Sequence, residues 1–105
     1  MYNQKAMREL KKLLLEKYPA DIDKMILFGS RAENKERKFS DHDILLILKK
    51  KYDREFEVEV LDIAFDIILK YDILTDLKFI SNDELLTLKG ALPYVQSALN
   101  KGIVI

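Results

Sequence analysis

Two apolar runs, Lys24-Met25-Ile26-Leu27-Phe28 and Ile44-Leu45-Leu46-Ile47-Leu48, enclose Gly29-Ser30 at one end and Ser40-Asp41-His42-Asp43 at the other, and the reading of this stretch decides the fold. Each run is too short for a convincing helix. The first is bounded by Asp21, Asp23 and Gly29 and the second is closed by Lys49-Lys50-Lys51, so both read as buried strands. Side chains alternate along a strand, which places Asp41 and Asp43 on one face and His42 on the other. Two hard oxygen ligands aimed at one spot suit Mg²⁺, which binds through one or two carboxylates and takes its remaining ligands from water and substrate phosphates. The Gly29-Ser30 turn complements them. Glycine lets a phosphate approach the backbone closely, and the serine hydroxyl and exposed N–H groups can hydrogen-bond its oxygens.

Outward from the strands the helical period takes over. Ala6, Met7, Leu10, Leu13, Leu14 and Tyr18 recur at three- and four-residue steps, which predicts a helix from Gln4 to Tyr18 that Pro19 ends. From Arg54 to Lys70, Phe56, Val60, Ile63, Ala64 and Ile67 share one face of a second helix, and Leu61, Phe65 and Ile68 widen it. So broad a face is expected to be covered on more than one side, by a partner as well as by the sheet. A third strand is predicted from Asp72 to Ile80. Ser81-Asn82-Asp83-Glu84 has the form of a capping box opening a short helix through Leu85, Leu86 and Leu88, with Gly90 as its stop. Pro93 suits the first turn of a last helix, Tyr94 to Asn100, which Gly102 terminates. The order helix, strand, strand, helix, strand, helix, helix makes an α+β fold, a small mixed β-sheet flanked by helices. The tail Gly102-Ile103-Val104-Ile105 is apolar to its last residue and is expected to pack against a sheet edge or a subunit interface.

The 105 residues suffice for a single domain, 1–105, with 49% hydrophobic residues to build a core and 34% charged residues to cover it. Lys and Arg number 18 and Asp and Glu 18, so the non-specific attraction that drives nucleic-acid binding has little to act on, and nucleic acid is not an expected partner. The absence of cysteine excludes disulfides and thiolate metal sites, as suits an intracellular protein. No apolar run approaches the length needed to span a bilayer, and Met1-Tyr2-Asn3-Gln4-Lys5 leads into an amphipathic pattern rather than a signal core. The cytoplasm is the expected location.

From Gly29 to Leu45 the chain reads Gly29-Ser30-Arg31-Ala32-Glu33-Asn34-Lys35-Glu36-Arg37-Lys38-Phe39-Ser40-Asp41-His42-Asp43-Ile44-Leu45. This stretch resembles the signature of the minimal nucleotidyltransferases of the DNA polymerase beta-like superfamily: Gly-Ser-Arg-Ala-x-Gly, a spacer, then Ser-Asp-x-Asp-Leu. Asn34 stands where the family usually has a second glycine, and asparagine tolerates left-handed backbone better than most residues. The resemblance implies a nucleotidyltransferase fold and the transfer of a nucleoside monophosphate from a triphosphate such as ATP to an acceptor hydroxyl, with release of pyrophosphate. It implies that Asp41 and Asp43 hold two Mg²⁺ ions, one activating the attacking oxygen and one on the triphosphate and leaving group. Gly29 and Ser30 would hold the triphosphate, and Arg31 would add a charged donor matched to phosphate geometry. The family commonly adds a third carboxylate from a later strand, as metal ligand and base. Asp76 is the candidate, a charge inside Ile73-Leu74-Thr75-Asp76-Leu77-Lys78-Phe79-Ile80 that is costly unless it faces a metal or solvent. Asp72, of the same parity, is the fallback.

Plainer readings stand beside these. Ser-Asp clusters also begin loops and cap helices, and it is the upstream Gly29-Ser30 that favours a metal site. His42, on the opposite strand face, reads as a core or surface histidine. Lys35, Arg37 and Lys38 could steer a triphosphate or an acidic partner, although a short charged run in a loop is usually solvated. Tyr52, Tyr71 and Tyr94 are isolated and read as packing residues. Template-copying and RNA-tailing relatives carry further domains for nucleobase and nucleic acid, so the acceptor here is expected to be a separate protein. Minimal nucleotidyltransferases are typically paired with a helical HEPN-domain protein, usually a ribonuclease toxin. The resemblance therefore implies an antitoxin that binds such a toxin or adenylylates one of its tyrosines. The alternative is a catalytically weak or inactive module that neutralises its partner by binding through the wide helical face. Modification of an aminoglycoside-like small molecule fits less well, because that chemistry normally needs another domain for the acceptor.

Overall fold

The computed structural model describes residues 2–33 and 41–105, so Asn34, Lys35, Arg37, Lys38 and Ser40 lie outside the described residues. The first helix, α1, spans Gln4–Lys17. Asn3 caps it by accepting the Ala6 N–H at 3.0 Å, and Tyr18 ends it ahead of Pro19. Two strands come next, β1 (Ile22–Phe28) and β2 (His42–Leu48), and then the long helix α2 (Arg54–Tyr71). Asp53 caps α2 by accepting the Phe56 N–H at 2.8 Å. Glu55 and Glu57 in its first turn and Lys70 in its last complement the helix dipole. Strand β3 (Thr75–Ser81), helix α3 (Pro93–Lys101) and a short β4 (Ile103–Val104) complete the chain.

The four strands form one sheet in the order β3-β2-β1-β4. β1 runs antiparallel to β2 and β4, whereas β2 and β3, joined through α2, are parallel. The sheet is therefore mixed, as expected, and helices cover both faces. One face packs Met25, Leu27, Ile44, Leu46, Leu48, Leu77 and Phe79 against Met7, Leu10 and Leu14 of α1 and Val60, Ala64 and Ile67 of α2. On the other, Ile26, Phe28, Leu45, Ile47 and Ile80 meet Val95 and Ala98 of α3. Burial on both faces explains why the strand runs are apolar throughout rather than alternating. The pairs Lys17–Glu59 at 3.3 Å and Lys70–Glu9 at 2.7 Å join α1 to α2 across the surface.

Three expectations need correction. Strand β3 begins at Thr75, not Asp72: Asp72 caps α2 in a left-handed conformation, φ 52°, so its parity with Asp76 is lost at the bend. The capping box forms reciprocally, Glu84 N–H to Ser81 Oγ at 3.2 Å and Ser81 N–H to Glu84 Oε1 at 3.0 Å. It opens a pair of 3₁₀ turns, Glu84–Leu86 and Leu88–Ala91, rather than one helix. Turns so short present no continuous apolar stripe, and Leu86 and Leu88 are left 90% and 89% exposed. Nor does Gly90 stop a helix. It lies buried in the second turn, where a Cβ would sit 2.0 Å from the Leu85 carbonyl oxygen, so close packing requires it. The apolar tail pairs with the β1 edge: Ile103 and Val104 face Leu27 and Ile26, the Ile105 N–H donates to the Met25 carbonyl at 2.9 Å, and Lys11 Nζ donates to the Ile105 carbonyl. Gly102 ends α3 in extended backbone that feeds this strand. Among the described residues no helix is long and apolar enough to cross a membrane.

Candidate active site

Sheet register assembles the acidic residues. Asp43 pairs with Phe28 across the antiparallel ladder and with Asp76 across the parallel one, so Phe28, Asp43 and Asp76 form one row at the end of the sheet. Asp43 shares its parity with Leu45 and Ile47, and Asp76 with Ile80, all of which face α3, so both carboxylates emerge on that face. Asp41 precedes β2 with the same parity. One carboxylate oxygen from each of Asp41, Asp43 and Asp76 lies within 4.8 Å of the others. The two predicted ligands and the predicted third acid are thus brought together, while the fallback Asp72 stays at the end of α2.

Burial, and then the charges of Asp76 and Asp41, push the Asp43 carboxyl up from its ordinary value, with only Lys78 acting against them. Lys78 Nζ is 3.7 Å from Asp76 Oδ1, and both side chains are about half exposed, so it is a loose counter-ion. Three carboxylates this close together are a donor set that fits a hard divalent cation. Gly29 borders them with φ +75°, and a Cβ there would come 2.4 Å from Asp43 Oδ2. Both observations call for glycine at this position. Ser30 and Arg31 lie in a turn closed by the Glu33 N–H donating to the Gly29 carbonyl at 3.2 Å. Arg31 lies near enough to His42 for its charge to disfavour a protonated imidazole.

His42 points the opposite way, into the α1/α2 layer, and is buried. Its Nε2 accepts the Asn3 N–H at 3.0 Å, which leaves the proton on Nδ1, facing the Leu74 carbonyl at 3.3 Å. The Asn3 N–H at the start of α1 and the loop entering β3 are thereby fastened to the start of β2, one residue from each of two acids of the cluster. His42 is a structural residue, as its parity indicated. Sequence reading passed over one neighbour of the site. Lys78 repeats the period-two step from Asp76 and could have been found by it. Tyr94 is a packing residue as read, its ring stacked on Phe28 with centroids 6.4 Å apart. Tyr52 and Tyr71 pack at the α1/α2 core. A cleft of 480 Å³ lined by Tyr52, Ser81, Glu84 and Thr87 lies at the other end of the sheet, by the last residue of β3.

Both the sequence and the fold have known relatives. A Methanocaldococcus jannaschii protein described as a "putative protein adenylyltransferase" is 31% identical over 105 residues, covering 100% of this chain and 99% of that protein. The fold matches a crystal structure of a toxin–antitoxin with AMP-PNP at a TM-score of 0.65 and 21% identity, over 98% of this chain and 72% of that one. It matches a mutant of the toxin–antitoxin MntA-HpeT at 0.64 and 22%, over 100% and 72% of the two chains. Residues 8–105 match the family described as Polymerase beta, Nucleotidyltransferase, and with the signature at Gly29-Ser30 and Asp41-His42-Asp43 in this register, the chain belongs to that nucleotidyltransferase family.

Proposed function

We propose that this domain is a cytoplasmic, Mg²⁺-dependent nucleotidyltransferase that moves AMP from ATP to a hydroxyl of a partner protein, and that the partner is a HEPN-domain toxin whose antitoxin it is. The observation that carries the enzymatic reading is the convergence of Asp41, Asp43 and Asp76 within 4.8 Å beside a glycine turn. The acceptor class is supported by the jannaschii relative described as acting on protein, and the toxin partner by the toxin–antitoxin proteins that share the fold.

Asp41, Asp43 and Asp76 would hold two Mg²⁺ ions, which when bound supply Lewis-acid activation of the acceptor oxygen and charge neutralisation at the leaving pyrophosphate. The chain's own residues do the rest. Gly29 lets the Asp43 carboxylate pack against the turn, and Ser30 and Arg31 would donate hydrogen bonds to the triphosphate oxygens. The acceptor oxygen forms a bond to the α-phosphorus as the bond from that phosphorus to the bridging oxygen of the β-phosphate breaks, and the electron pair leaves with pyrophosphate. The hydroxyl proton passes to Asp76 Oδ, on the edge strand where an incoming protein has access.

The test uses ATP labelled at the α-phosphorus, Mg²⁺ and a HEPN toxin. Label is expected to reach the toxin with the wild-type chain and to vanish with Asp41→Ala/Asp43→Ala, while the variant remains folded by circular dichroism. Toxin neutralised equally well by both proteins, with no label transferred by either, would replace the enzyme by a binding module.

A further inference from the structure

The outer face of α2 is unfinished. Val58, Leu61, Phe65 and Leu69 remain exposed, Phe65 at 55% and Leu69 at 66%. Their spacing of three, four and four residues aligns them in one stripe along about three helical turns. Beside that stripe, on the flank that turns towards α1, stand Glu55, Asp62 and Asp66. These three acids carry no ion pair among the described residues, whereas Glu59 in the same row is held by Lys17 at 3.3 Å and by the Tyr18 hydroxyl at 3.0 Å. The result is an apolar seam with an uncompensated negative edge.

A second copy of this chain is a poor occupant. In an antiparallel two-fold pairing of α2 with itself, the same edge of both helices falls on the same side, so Asp62 and Asp66 would meet their own counterparts. Like charges opposed in this way repel. The complementary surface is a helix with its own apolar seam edged by Lys or Arg, laid along α2 as helices pack on helices. Such a helix would end beside the bend that leads into β3. Leu69 lies close to the last residue of α2, and only the bend at Asp72 to Leu74 separates that end from Thr75 and Asp76. The Asp76 carboxylate emerges on the other face of the sheet, but β3 is its edge strand, so a protein seated on α2 can reach round that edge.

We propose that Val58, Leu61, Phe65 and Leu69, with Glu55, Asp62 and Asp66, dock a basic-edged amphipathic helix of the acceptor protein and so bring its hydroxyl to the Asp76 end of the sheet. This rests on the reading of the domain as an enzyme with a protein acceptor. It assigns to α2 the selection of the partner, and to electrostatic complementarity the orientation in which the partner arrives.

The experiment titrates two synthetic amphipathic peptides of roughly 18 residues into the protein by fluorescence anisotropy, one with a leucine seam edged by lysine, the other with glutamate in place of lysine. Each protein is also titrated with ATP and Mg²⁺ by calorimetry. The lysine peptide is expected to bind the wild type and to be lost with Phe65→Glu. The charge swap Asp62→Lys/Asp66→Lys should weaken it about tenfold and admit the glutamate peptide instead, an exchange that general stickiness would not produce. Leu88→Glu, in the other exposed apolar patch, should change nothing, and all variants should keep the wild-type ATP titration. Equal binding of both peptides, indifference to Phe65→Glu, or a wild-type dimer dissociated by Phe65→Glu would each overturn the proposal. So would failure of both peptides to bind a protein that still takes up ATP with Mg²⁺. Peptide binding without any ATP binding would sink the enzymatic reading while leaving the docking face intact.

Discussion

His42 and Asp43 are neighbours in the chain and opposites in the fold. His42 faces the layer formed by α1 and α2, where it is buried with each ring nitrogen opposite a backbone partner. Asp43 faces the α3 layer at the open end of the sheet, where burial and two further carboxylates oppose its charge and one loose lysine favours it. One face of β2 has been assembled to satisfy every polar group. The other keeps a charge it would be more stable without, and that is the face where a cation and a triphosphate are proposed to bind. Polar groups that are hard to explain by folding are the better guides to chemistry.

Breaking the Asp43 side should produce the largest effect and the least structural damage. Asp43→Asn is expected to lower label transfer from ATP by about a thousandfold or more, the scale on which metal-ligand losses act. The same variant should melt at a higher temperature than the wild type when no Mg²⁺ is present, because a carboxyl whose folded pKa is raised weakens the folded state at neutral pH. A scan at pH 7 with and without Mg²⁺ checks both halves: the metal should raise the wild-type midpoint and leave that of the variant unchanged. Breaking the His42 side reverses the pattern. His42→Leu strands the Asn3 N–H and the Leu74 carbonyl and is expected to cost about 2–3 kcal/mol in urea denaturation.

Gly29 is where the two demands meet, and it sharpens the comparison. Gly29→Ala places a Cβ 2.4 Å from Asp43 Oδ2 at a φ of +75°. The backbone term should cost about 1–2 kcal/mol of stability. The carboxylate can swing aside, but only by leaving the cluster, so Mg²⁺-dependent ATP affinity should fall further than stability does, as calorimetry beside denaturation would show.

Much of this was legible in the chain because it depends on local spacing. The period-two step from Asp41 to Asp43 and the opposite sense of His42 come from strand alternation, the search for a third acid that led to Asp76 comes from the family resemblance, and the mixed sheet comes from element order. The features that stayed hidden depend on where the backbone turns. The left-handed cap at Asp72 removes that residue from the strand, and no pattern in Asp72-Ile73-Leu74 announces the bend. The leucines at 85, 86 and 88 imitate a helical face, yet the segment folds into two 3₁₀ turns that bring Gly90 against the Leu85 carbonyl, a tight local return that apolar spacing does not announce. The tail was legible as covering a sheet edge or a subunit interface, and the choice of the edge depends on β1 being left open for Ile103 and Val104.

The smallest effect is in the pH dependence, and there the two neighbours should pull in opposite directions. Burial first, then the charge of Arg31, lowers the His42 pKa, against the Leu74 carbonyl and Asp41. A base with a depressed folded pKa gives stability that is complete above its unfolded value, about 6.5, and is lost as pH falls towards the folded one. Asp43 has a raised folded pKa, so its contribution has the other sign: complete below its unfolded value, about 3.9, and lost as pH rises through the folded one. On acidification from neutral pH, His42 should therefore erode stability first and Asp43 restore part of it later. Urea midpoints measured between about pH 4 and 8 separate the two. His42→Leu should lose the decline that begins near pH 6.5 and keep the acid-side gain, while Asp43→Asn should keep the decline and lose the gain. If both variants followed the wild-type curve, neither residue would hold the charge state its surroundings dictate, and the contrast between the two faces of β2 would have to be sought in uncharged contacts.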